Sequence, residues 1–130
     1  MAHAVVEWTA NLEGDVDLPG VLKLIAAAMR ESGIFPWGGI RVRGIRLVDF
    51  VIADSAADYA FVHVTVMMGA GRDAATKKAF FDSLFQRIEA HFAELFSKRY
   101  LALSMYVEEA DETASYKQNN LHARFRKGNG

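Results

Sequence analysis

The stretch from Asp58 to Lys98 sets the terms for the rest of the chain: a strand, a tight glycine turn and a long helix. Residues Tyr59 to Met68 are β-branched, aromatic or apolar and contain no Pro or Gly, which suits a buried strand. Gly69 and Gly71 break that strand sharply. Asp73 is a good N-cap for the helix after the turn. From there Phe81, Leu84, Phe85, Ile88, Phe92, Leu95 and Phe96 recur at helical spacing, so one face is apolar. Ser97-Lys98-Arg99 places cations where a helix dipole favours them. Arg72 falls at the carboxyl end of the strand and the start of the helix, where α/β layers commonly bind ligands.

A similar layout precedes it. Ala2 to Trp8 reads as a short strand, with Ala2, Ala4, Val6 and Trp8 on one side. A polar loop leads to a helix starting near Leu18, with Pro19 in its first turn and Gly33 as its stop. Leu18, Val21, Leu22, Ile25, Ala28 and Met29 form its apolar stripe. After the turn Ile34 to Gly39, a second strand is expected from Ile40 to about Ile52, with Arg41 and Arg43 on one face. Gly44 marks a bulge or a close backbone approach. The long helix is followed by a fourth strand, Tyr100 to Glu108. Leu121 to Arg126 is expected to add a short edge strand, and Lys127 to Gly130 to fray.

The order is strand, helix, strand, twice over. The fold class expected is a two-layer α+β domain over residues 1–126: two βαβ units in one four-stranded sheet, both helices on a single face. Ala60, Val62, Val64 and Val66 would then face the helices. Tyr59, Phe61, His63, Thr65 and Met67 would be left on the other face, too much apolar surface for a soluble monomer. Other subunits are expected to cover it.

Length and composition agree. The chain has 130 residues, enough for one domain with a core. Its net charge of −1 gives no global field toward nucleic acid or anionic membrane. Without cysteine, disulfides and thiol catalysis are excluded. No apolar run approaches the ~18 residues of a membrane span. The first residues lack the basic and apolar regions of a signal peptide, so a cytoplasmic protein is expected. His3, His63, His91 and His122 show no metal-ligand spacing, so no metal is expected.

Several stretches together resemble the 5-carboxymethyl-2-hydroxymuconate delta-isomerase family of the tautomerase superfamily. They are Asp17-Leu-Pro-Gly20, Gly33-Ile-Phe-Pro36, Gly39-Ile-Arg41, Asp58-Tyr-Ala-Phe-Val-His63, Gly69-Ala-Gly-Arg72 and Lys117-Gln-Asn-Asn-Leu-His-Ala123. None is specific alone; in this order they span nearly the whole chain. The resemblance implies a homotrimer and a cofactor-independent keto–enol proton transfer on an unsaturated 2-hydroxy dicarboxylate from aromatic-acid catabolism. It implies an N-terminal proline as base, with Arg41 and Arg72 on the substrate carboxylates. Guanidinium suits that task because it holds a carboxylate bidentately.

The sequence departs from the family at the base, where Ala2 stands in place of proline. If Met1 is removed, Ala2 carries a primary amine, which is still a base. If Met1 stays, the Ala2 nitrogen is an amide. Two further readings stay open: a trimeric acid-binding homologue that has lost its base, or another tautomerase-superfamily activity. Arg43 and Arg46 read as surface or intersubunit ion-pair residues, and His63 as a hydrogen-bonded core or interface residue. Phe35 and Trp37 either wall a pocket or pack a turn.

Overall fold

The computed structural model describes residues 1–125. Strand β1 (Ala2–Thr9) alternates buried and half-buried residues. Helix α1 (Leu18–Ser32) starts at Asp17, whose carboxylate accepts from the Gly20 N–H at 3.0 Å, and stops at Gly33, which takes the left-handed conformation (φ 74°). Strand β2 (Ile40–Leu47) returns parallel to β1. Strand β3 (Ala60–Gly69) runs antiparallel to β1, and β4 (Leu101–Ala110) runs parallel to β3. Between them lies α2 (Ala74–Phe96), capped by Asp73 through the Thr76 N–H (2.8 Å) and hydroxyl (2.9 Å). The sheet order is β2-β1-β3-β4, so each βαβ unit contributes one central and one edge strand.

One core lies between sheet and helices. Ala2, Ala4, Val6, Ala60, Val62, Val64 and Val66 meet Val21, Ile25, Met29, Leu84, Ile88 and Phe92 there. This is the expected two-layer arrangement, and Phe61, His63, Thr65 and Met67 are left half-buried on the uncovered face. The expectation at Gly44 is corrected: it pairs with Val6 in an unbroken register, so it is no bulge, and a side chain, not backbone, approaches it. A Cβ there would lie 2.2 Å from the Trp8 ring, which packs on the β2 backbone close to Leu22. Trp8 and Gly44 are therefore one packing unit.

Three expectations at element ends are corrected. Strand β2 stops at Leu47, well short of Ile52. Its last partner is Thr9, where β1 itself ends, and beyond it the backbone has nothing to pair with. Val48 and Val51 instead sit exposed in a loop, with positive φ at Ala53 and Ser55. Next, Leu121–Phe125 is a short helix, α3, and not an edge strand. The Asn119 side chain accepts from the Leu121 N–H at 2.6 Å and turns the chain into a helix, whose Phe125 ring lies 5.9 Å from that of Trp37. Arg126, the end of the expected strand, and the tail 127–130 fall outside the described residues. Last, Phe96 is exposed, and Lys98 and Arg99 lie beyond the end of α2 instead of occupying its final turn. Arg99 turns back and clamps the loops below the sheet, pairing with Asp15 (3.0 Å) and Asp58 (3.2 Å) and donating to the Asn11 carbonyl (3.0 Å).

Candidate active site at the open end of the sheet

Antiparallel pairing of β1 with β3 brings the start of one strand to the end of the other. Ala2 pairs with Met68 on one side and Ile40 on the other. The beginning of the chain is thereby inserted between the start of β2 and the end of β3. Ala2 is buried, and its side chain belongs to the core. The Gly69 N–H donates to the Met1 carbonyl at 3.3 Å. The turn Trp37–Gly39 passes directly over Met1: a Cβ on Gly39 would lie 3.0 Å from the Met1 Cα. Any side chain at that position would crowd the amine.

Arg41 and Arg72 reach the same place from opposite sides. Arg41, the second residue of β2, donates through Nη1 to the Gly38 carbonyl at 2.9 Å. Arg72 lies in the β3–α2 turn. Its Nε donates to the Ile34 carbonyl (2.8 Å) and its Nη1 to the Gly69 carbonyl (3.0 Å). Its guanidinium also lies over the Phe35 ring, 4.6 Å from the centroid. Phe35 is buried and edge-on to Phe80, so it serves as the platform that fixes Arg72. Trp37 lies against Arg30 and Phe125 and walls a separate cavity of about 440 Å³ between α1 and β2.

The Met1 amine is therefore held below the ordinary α-amino value of 8.0. Burial is the larger cause, followed by repulsion from Lys117, Arg72 and Arg41. His3 lies alongside. Its Nδ1 accepts from Arg43 Nη1 at 3.1 Å, which leaves the ring proton on Nε2, because guanidinium can only donate. Burial and the neighbouring Arg43, Arg41 and chain-start amine lower its pKa, which favours the same neutral ring. A small cavity of about 170 Å³ opens here, lined by Met1, His3, Met67, Tyr116 and Lys117 among others. A larger one, about 750 Å³, lies between α2 and β4. Its walls are mainly apolar, and its cations Lys77 and Lys78 are already paired with Glu109 and Asp82. The smaller cavity is the one with chemistry beside it.

A sequence profile described as 5-carboxymethyl-2-hydroxymuconate isomerase matches residues 2–125. The chain belongs to that family. The Escherichia coli 5-carboxymethyl-2-hydroxymuconate Delta-isomerase is 40% identical over 126 residues, which cover 97% of this chain and 100% of that protein. The crystal structure of a 5-carboxymethyl-2-hydroxymuconate isomerase from Deinococcus radiodurans R1 superposes with a TM-score of 0.88 at 41% identity, over 96% of this chain and 94% of that one. A member of the cis-3-chloroacrylic acid dehalogenase family shares the fold at 16% identity, with a TM-score of 0.61 over 91% of this chain and 81% of that one.

The remaining sequence candidates lie away from the amine. His63 binds Ser104 Oγ through Nδ1 at 2.6 Å on the uncovered face, and Arg46 pairs with Glu13. Two residues near the site have no role assigned from the sequence, although both lie in the Lys117–Ala123 stretch. Asn119 donates to the same Gly38 carbonyl as Arg41, at 2.8 Å, and Lys117 stands beside the amine. Their signal is the motif itself. Nothing local says that a chain end so far along the sequence folds back over its beginning.

Proposed function

We propose that this protein is an isomerase that ketonises 5-carboxymethyl-2-hydroxymuconate or a close relative by proton transfer through the free amine of the chain. The observation that carries the reading is the placement of that amine: half-buried at the sheet end, among Lys117, Arg72 and Arg41. The unprotonated nitrogen takes the proton of the dienol hydroxyl. The electron pair of the O–H bond becomes the carbonyl π bond, the double bonds shift, and the same nitrogen returns the proton to carbon. Arg41 and Arg72 hold substrate carboxylates and stabilise the negative charge that develops on oxygen. Amine and guanidinium groups suffice for these steps.

The free amine is that of Met1 in the structure and of Ala2 once Met1 is removed. Removal moves it to the first ladder position of β1, between Ile40 and Met68. The assembly is a homotrimer in this reading, supported by the family resemblance and by the half-buried apolar residues on the second sheet face.

The test begins with the mass of the purified chain, which identifies the residue bearing the amine. Ketonisation is then compared with that of Ala2→Pro made with complete Met1 removal. A gain in rate with proline is the expected outcome, since it restores the family's secondary amine in an existing site. No gain, with diacid binding retained, would mark a binding protein instead.

A further inference from the structure

The substrate class that names this family carries three carboxyl groups, one more than the dicarboxylate expected from the sequence: muconate supplies two and the carboxymethyl arm a third. Arg41 and Arg72 can answer two. All three are ionised at neutral pH, and an unpaired carboxylate costs free energy wherever it leaves water. The third needs a cation close to the other two, or must be left in solvent.

Lys117 fits that description. Lys77, Lys78 and Lys98 are each paired with a carboxylate, namely Glu109, Asp82 and Glu94. Lys117 has no such partner among the described residues. It lines the small cavity together with Met1, His3 and Met67. The segment that carries it is tied down on both sides. Asp111 caps the turn after β4 by accepting from the Thr113 N–H at 3.0 Å. Asn119 donates to the Gly38 carbonyl, the same oxygen that holds Arg41. That shared anchor ties the placement of the two cations together through backbone. An ammonium on a flexible stem also suits a rotating carboxymethyl arm better than the planar fork of arginine, which suits a carboxylate held in one orientation.

We propose that Lys117 is the third carboxylate-binding group of this site and sets its preference for tricarboxylates over dicarboxylates. The inference rests on the reading of the site as one that binds the isomerase substrate, but not on the proton transfer. Lys117 is also the strongest of the cations that repel the amine, so filling it with a carboxylate would ease that repulsion as substrate binds.

Equilibrium binding separates the two questions, because it needs no turnover. The probes are carboxymethyladipate, a saturated and unreactive tricarboxylate, and adipate, which lacks the third carboxylate. The wild-type chain should bind the tricarboxylate about tenfold more tightly, as expected for one charge-assisted hydrogen bond. Lys117→Met should close that gap to within about twofold and leave adipate binding unchanged, while Lys117→Arg keeps most of it. Lys117 is exposed, so the variant retains the packed core. Equal weakening of both acids in Lys117→Met, or no preference in the wild type, would overturn the proposal. Selectivity present without ketonisation would sink the proton-transfer reading and leave this one standing.

Discussion

At the chain's start, an amine among cations is poised to lose its proton early. Burial and the three neighbouring positive charges all disfavour the ammonium form, so its pKa lies below 8.0. In the proposed reaction the working base is the neutral form. Protonation therefore removes activity: kcat/KM should fall as pH drops through this lowered value and be flat above it. A pH–rate profile with a single acidic limb whose midpoint lies below 8.0 is expected. A midpoint above that value would mean that the cations do not act on the base. At this scale the sequence was informative about kind and poor about place. Arg41 and Arg72 stand out in the motif and at strand ends, and in the structure the charge of both acts on the Met1 amine. The support beneath them was not. That Phe35 would lie under Arg72, or that one carbonyl of Gly38 would hold both Arg41 and Asn119, depends on turns whose geometry no periodicity encodes.

The two central strands and both long helices follow local pattern: period two in β1 and β3, period 3.6 in α1 and α2, and an aspartate before each of these helices. Where pattern misled, tertiary pairing decided. The apolar residues Val48, Phe50 and Val51 continue a strand-like run, yet β2 ends because β1 has run out of residues to meet it. Gly44 shows the converse, a single residue whose meaning lay in a distant side chain. Gly44→Ala would place a methyl group in the Trp8 ring, against backbone that cannot move without breaking the β1–β2 ladder. We expect a destabilisation of about 1–3 kcal/mol by denaturant unfolding, the usual cost of overpacking. Gly44→Ala together with Trp8→Phe should recover part of it. An unchanged midpoint in the single variant would show that Trp8 has other room.

Among the described residues, two sheet edges and one sheet face are without partners. Strands β2 and β4 are both terminal in the sheet, and Phe61, Thr65 and Met67 share the face away from the helices with Val5 and Tyr106. In a homotrimer these surfaces are covered, and light scattering should give three times the 14.4 kDa chain mass. Phe61→Glu would put a charge into that contact and should shift the species toward monomer. A wild-type monomer at micromolar concentration would contradict the assembly. The expectation of a partner rests on the sequence, because the second face of β3 carries Phe61 and Met67, which sit half-buried in the single chain. Which edge meets which is not encoded in one chain's periodicity, because strand edges present the same backbone groups whatever their sequence.

In the proposed reaction the free amine of the chain carries the proton. Ketonisation of 5-carboxymethyl-2-hydroxymuconate, measured before and after selective acetylation of that amine, decides whether it does. An amide nitrogen cannot accept a proton near neutral pH, so kcat should drop by about 10²-fold or more while diacid binding persists. An acetylated chain that ketonises at the original rate would contradict the account.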